Sequence, residues 1–189
     1  GSSIDYLDLA LNRIDSFNPT WFQPINSTLT FLDLLGNSIV YLPSDGFADI
    51  RNIERLILNN NPLWFIPSDA FRFADNLRDL FMGSIGIFEL DSGWFEGLPA
   101  LENLHIQNNN IGAIPNGVFS SNLRLRRLEF YNNNVRSLNA ASFGQIQSLT
   151  HIMAQNNRIR AFDPVIIDRA SNLDWLMLSG NICNRDDFS

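Results

Sequence analysis

At 189 residues, with 45% hydrophobic and 17% charged residues, the chain can bury a continuous core and is too apolar for a disordered protein. Its formal net charge of -7 comes without the Lys/Arg-rich stripe that phosphate backbones demand, which argues against nucleic acid as a partner. A single cysteine, Cys183, excludes an internal disulfide and a multi-cysteine zinc site, and no run of about 18 apolar residues is present to insert in a membrane.

Gly1-Ser2-Ser3 has neither a basic flank nor an apolar stretch, and residues 1–3 read as an expression remnant. From Ile4 onward one frame, LxxLxLxxNxL, repeats. The first unit starts at Ile4, turns at Asn12 and reaches Phe22. The second starts at Leu29 and shows the pattern at full length through Leu32, Leu34, Asn37, Ile39, Leu42, Pro43, Phe47 and Ile50. The third starts at Ile53, with Asn61 and Phe71. The fourth starts at Leu77, with Ile85 in place of the asparagine, and continues to Phe95. The fifth starts at Leu101 (Asn109, Phe119), the sixth at Leu125 (Asn133, Phe143) and the seventh at Leu149 (Asn157, Ile167). The eighth, truncated, starts at Leu173 and carries Asn181. One spacing of 25 and six of 24 separate these starts. Residues 4–183 are therefore expected to form one domain and 184–189 a tail, whose Asp186-Asp187 discourages strand addition at the terminal edge.

Each position has a physical task. The fourth and sixth residues of the frame alternate with their neighbours, as a short strand with one buried face requires. No single unit covers its own apolar face, so the units must stack into a parallel sheet. The asparagines Asn12, Asn37, Asn61, Asn109, Asn133, Asn157 and Asn181 stand where the chain leaves the strand. There a buried amide can satisfy backbone groups of its own coil and the next. Phe22, Phe47, Phe71, Phe95, Phe119 and Phe143 share the nineteenth position and predict an aromatic spine opposite the sheet, with Ile167 taking that place in the seventh unit. Pro43, Pro67 and Pro115 fit extended or turning segments between the two. The expected fold is an α/β solenoid: a curved right-handed coil with a parallel concave sheet of about eight short strands, and loops and short helical turns on the convex side.

Outward-pointing residues are the third, fifth and seventh of each frame, and the core does not dictate them. Across consecutive strands they include Ile57, Phe81, His105 and Tyr131, beside Arg127 and Glu129. Further along come His151, Met153 and Trp175. Contiguous aromatic residues on a solvent-facing sheet, next to an arginine, have the composition of an interface hot spot. These nine residues are the candidate site for a protein or peptide ligand. A second group, Asp8, Asp33 and Asp79 beside Tyr6 and Phe31, could receive a basic loop. Trp21, Trp64 and Trp94 lie away from the strands and are expected to pack around the spine.

No Gly-rich phosphate loop, GxSxG elbow or HExxH pattern is present, and no nucleophile has an evident base beside it. The two histidines, His105 and His151, fall two strands apart, roughly 9–10 Å, too far to share a metal. No enzyme activity, cofactor or metal is expected. Asn26-Ser27-Thr28 is a glycosylation sequon, with Asn26 as acceptor.

With these residues placed, the chain resembles leucine-rich-repeat proteins of the typical class, whose 24-residue units carry the LPxxxF segment. The resemblance runs from about residue 4 to 183. It implies an extracellular setting, similar to Toll-like receptor ectodomains, matrix proteoglycans and secreted immune proteins of insects, either as a secreted protein or as a receptor ectodomain. It also implies cysteine-rich caps. None precedes Ile4, and Leu176, Leu178, Asn181 and Cys183 resemble the approach to a C-terminal cap, which leaves Cys183 either a buried thiol or half of a bridge. The alternative function is structural: a homo-oligomer assembled through the ends or the convex side.

Overall fold

The computed structural model describes residues 3–145 and 147–183. The 184–189 tail, Asp186-Asp187 included, lies outside them. Strands are short because each unit supplies only one inward leucine between two outward residues before it turns. They are β1 (Tyr6–Asp8), β2 (Phe31–Asp33), β3 (Arg55–Ile57), β4 (Asp79–Phe81), β5 (Asn103–His105), β6 (Arg127–Glu129), β7 (Ser137–Leu138), β8 (His151–Met153), β9 (Ala161–Phe162) and β10 (Trp175–Met177). Eight of them form one open parallel sheet in the order β1-β2-β3-β4-β5-β6-β8-β10, and β7 pairs with β9 in a separate ladder. The register is the same throughout: Leu7, Leu32, Leu56, Leu80, Leu104, Leu128, Ile152 and Leu176 sit side by side. The fold is an α/β leucine-rich-repeat solenoid.

Within the inner coils the fourth and sixth residues are fully buried, from Leu32 and Leu34 to Ile152 and Ala154. Their counterparts in the first and last coils, Leu7, Leu9, Leu176 and Leu178, are only partly buried, because among the described residues each has a neighbouring coil on one side alone.

The turn out of every strand of the eight-stranded sheet uses a left-handed residue at the eighth position: Leu11, Gly36, Asn60, Ser84, Asn108, Asn132, Asn156 and Gly180 all have φ between 53° and 72°. Asparagine and glycine dominate this column because they enter that region at least cost.

The next residue is the ladder asparagine, and its amide reaches backward along the solenoid. Asn61 donates from Nδ2 to the carbonyls of Leu34 and Leu58, both at 2.9 Å, and its Oδ1 accepts from the Ile39 N–H at 3.1 Å. Asn37, Asn133, Asn157 and Asn181 repeat the arrangement. The second coil that each amide serves is thus the preceding one, not the following one. Asn12, in the first described coil, donates to Leu9 and Ala10 of its own. Where Ile85 interrupts the column, Leu63 N–H turns instead to the Asn61 carbonyl, and Asn109 Oδ1 accepts from both Ile85 and Gly86. An outer row, Asn52, Asn76 and Asn172, donates in the same backward sense to Ser27, Arg51 and Gln147.

Convex segments are short: a 3₁₀ helix Pro19–Ile25, α1 (Gly93–Glu96), a 3₁₀ turn Ala140–Ser142 and α2 (Val165–Arg169). The six spine phenylalanines lie on this side, all buried. Phe47 stacks on Phe71 at 5.4 Å, and Phe95, Phe119 and Phe143 follow at 5.5 and 6.1 Å. Phe22 reaches this row through Phe17, whose ring lies 5.7 Å from Phe22 and 5.0 Å from Phe47. In the seventh unit the spine position belongs to Ile166, which is fully buried, and not to Ile167, which is 54% exposed. The helical turn of α2 rotates the chain so that the residue one place earlier faces inward.

Candidate functional site

Parallel pairing at constant register puts the fifth residues of successive units in one row across the concave face: Ile57, Phe81, His105, Glu129 and Met153. The Phe81 and His105 rings stack with centroids 4.2 Å apart and planes within 5°. His105 Nδ1 then lies 3.0 Å from Glu129 Oε2, while Arg127 Nη1 donates to Glu129 Oε1 at 3.2 Å. Arg127 also passes within 4.0 Å of Met153 Sδ. Glu129 is thus shared between a histidine and an arginine and is buried, whereas Phe81, His105, Arg127, Tyr131 and Met153 are half-buried with surface left to present.

Burial acts to raise the Glu129 carboxyl, but the hydrogen bonds and charges of His105 and Arg127 outweigh it and hold the group below its ordinary value of 4.5. Burial, and then the Glu129 charge, push the Tyr131 phenol above its ordinary 10.0. Beyond this cluster His151 lies parallel to exposed Trp175 at 6.0 Å, with its Nδ1 2.9 Å from Thr150 Oγ1. Of the nine candidate residues, seven therefore form a contact group in two parts, Phe81–His105–Glu129–Arg127–Met153 and His151–Trp175. Ile57 adjoins the first by strand pairing with Phe81, and Tyr131 by its charge coupling to Glu129.

The acidic group at the other end is already engaged. Asp79 receives Arg55 at 2.6 Å and Asn103, while Asp8 and Asp33 accept from the backbone N–H groups of Ala10 and Leu35 in their own turns. Arg55 also lies 5.9 Å over the Phe31 ring, which stacks on Tyr6 at 4.2 Å. These carboxylates shape the first coils, and Asp8 stays exposed beside them.

Only one of the three tryptophans packs as expected. Trp94 is buried and donates from Nε1 to the Ile66 carbonyl at 3.1 Å, but Trp21 is 47% and Trp64 79% exposed. Trp64 instead joins Tyr41, Phe65 and Phe88, all exposed, on the flank where the chain descends from the sheet. The signal in the sequence is the twelfth position, the first beyond the last inward residue of the frame, which holds Trp64 and Phe88.

Asn26 follows the 3₁₀ helix as its C-cap, with Thr28 Oγ1 donating to the Ile4 carbonyl at 2.7 Å. Cys183 is half-buried, and its thiol donates to the Ile159 carbonyl at 3.3 Å. Among the described residues no three His, Cys, Asp or Glu side chains are grouped to hold a metal ion, and no helix is long and apolar enough to cross a membrane.

Stacked coils, a parallel inner sheet and an asparagine ladder define a repeat solenoid that presents side chains from a rigid face. The chain belongs to the leucine-rich-repeat family, whose model matches residues 2–63, 51–111 and 99–159. Repeats of this family are general protein–protein interaction modules, and their members are typically not enzymes. A leucine-rich-repeat protein of Leptospira interrogans is similar in structure, with a TM-score of 0.77 at 22% identity over 97% of this chain and 50% of that one. Internalin C2 of Listeria monocytogenes is similar at the same TM-score, with 23% identity over 96% of this chain and 74% of its own. The chain thus spans half the length of the Leptospira protein. No curated protein matches it.

Proposed function

We propose that the chain is a non-enzymatic recognition module that binds a protein or peptide partner on its concave face, in extracellular immune or cell-surface recognition. The supporting observation is the Phe81–His105–Glu129–Arg127 group. A buried carboxylate fixes a histidine and an arginine, and the histidine in turn fixes an aromatic ring, on a face that the core does not specify. Side chains immobilised before binding lose little entropy on association, which favours affinity. The extracellular setting rests on the 24-residue units with their LPxxxF segments. In this reading Asn26 carries a glycan. Phe81→Ala and Tyr131→Ala, tested on partners captured from extracellular extracts, should each weaken binding about tenfold or more with little change in stability. Unaltered capture by both variants would refute the concave site.

A second reading, assembly through the ends, draws on the half-exposed core positions Leu7, Leu9, Leu176 and Leu178. Sedimentation over a range of concentrations separates the two, since only assembly predicts a dimer or larger species.

A further inference from the structure

The flank on which the chain descends from the sheet carries a second surface. In the twelfth position of five successive units stand Trp64, Phe88, Gly112, Arg136 and Arg160. Three hollows run along this column. The first, about 560 Å³, is lined by Trp64, Phe65 and Phe88. The second, about 790 Å³, shares Phe88 and Glu89 with the first and extends to Arg136 and Arg158. The third, about 310 Å³, lies among Arg136, Arg158 and Arg160. Because neighbouring hollows share walls, they form one trough, aromatic at one end and basic at the other.

Both ends keep surface to present. Trp64 is 79% and Phe88 68% exposed, and among the described residues none of the three arginines forms an ion pair. Three arginines that form no ion pair among the described residues, gathered on a chain of net charge -7, run against the overall charge. Glu89, at the aromatic end, repels an anion there and so fixes the polarity of whatever lies in the trough.

Gly112 joins the two halves. Its φ is not in the left-handed region, and a Cβ built on it meets nothing within 4 Å. Neither backbone nor packing requires glycine, and its effect is to leave the middle of the trough open.

We propose that this trough binds an extended acidic peptide, with bulky apolar side chains against Trp64 and Phe88 and carboxylates on Arg136, Arg158 and Arg160. Four coil steps at ~4.8 Å make about 19 Å, the length of roughly six extended residues. Arginine forks bind carboxylates with paired hydrogen bonds, and exposed aromatic faces supply the apolar anchor. This surface is independent of the concave one.

The test uses end-capped, fluorescein-labelled hexapeptides with two aromatic residues at one end and two aspartates at the other, made in both chain directions. Fluorescence anisotropy should show binding of one direction, and replacing the aspartates by lysines should abolish it. The double variant Arg136→Ala/Arg160→Ala and the single variant Gly112→Leu should each weaken binding at least tenfold while melting as the parent does. Arg124→Ala/Arg126→Ala, which removes the same two charges from outside the trough, should bind normally. Failure of both directions overturns the proposal, as does equal binding of the lysine peptides. So does a stably folded Gly112→Leu that binds like the parent, or an oligonucleotide that binds where the peptides do not.

Discussion

Phe81 and His105 lie ring over ring, 4.2 Å apart, because the parallel register sets the last residue of β4 directly beside the last of β5. A stack of this kind contributes about 0.5–1.5 kcal/mol beyond area burial. Phe81→Ala should therefore lower unfolding free energy by about 1 kcal/mol, while Phe95→Ala, which empties a fully buried site in the spine, should lower it by about 3–5 kcal/mol. Urea denaturation of the two variants measures the difference. Equal losses would make Phe81 a core residue and deprive the concave site of its most distinctive side chain.

The shared carboxylate gives the concave face a pH dependence. Glu129 is held below 4.5 in the folded chain, so the unfolded chain takes up the proton first as the pH falls. Its stabilising contribution is present above about pH 4.5 and is lost as the pH drops through the folded value. Glu129→Gln should flatten the part of the stability curve that falls as the pH drops below the ordinary carboxylate value. The same variant removes one of the two causes that raise the Tyr131 phenol. Spectrophotometric titration at alkaline pH should find that phenol ionising at lower pH in Glu129→Gln than in the parent. A phenol that stays in place would show that burial alone sets it.

The backward reach of the ladder predicts an inequality among its members. Asn133 serves the carbonyls of Ile106 and Phe130 and the N–H of Ile111, all in buried surroundings. Removing the amide strands several backbone groups away from water, at about 1–3 kcal/mol for each left unsatisfied. Asn133→Ala should cost about 3 kcal/mol or more. Asn12→Ala removes bonds that are exposed and confined to one coil, and should cost about 0.5 kcal/mol or less. Guanidinium titrations of both variants would find similar losses only if the ladder served each coil by itself.

Much of this architecture is legible in the residues because one repeating frame fixes three things together: the strand position, the inward row and the turn. All eight concave strands fall on the third to fifth residues of their units, as the alternation of Leu32 and Leu34 and their equivalents requires. The repeat count puts Ile167 in the spine because it assumes constant geometry, and α2 adds rotation that the count does not contain. Phe17 escaped notice because it lies outside the frame and enters the spine only by packing between Phe22 and Phe47. On the concave face, register puts Glu129 beside His105, but the sharing of its carboxylate with Arg127 depends on rotamers that no pattern encodes. The exposure of Trp64 was hidden for a related reason: a tryptophan off the strands has no fixed direction until the descending flank is placed.

The left-handed column was also hidden, since the frame leaves its eighth position open, and it leads to a prediction of gain. Ser84 adopts φ 56° there although it has a Cβ, in the one unit that also lacks its ladder asparagine. A residue other than glycine, asparagine or aspartate loses roughly 1–2 kcal/mol in this region, and glycine returns part of that through its greater freedom in the unfolded chain. Ser84→Gly should therefore stabilise the protein by about 0.5–1 kcal/mol, a rise in melting temperature of roughly 2 °C for a chain of this size. Asn132→Ala, at the same position two units on, should destabilise it. That substitution puts a β-carbon without a compensating amide into the turn and breaks the bonds from Asn132 to Asn108 and from Asn156 to Asn132. Calorimetric melting of both variants checks the opposite signs. A loss in Ser84→Gly would mean that the serine makes the turn at the broken rung more favourable than its backbone angle suggests.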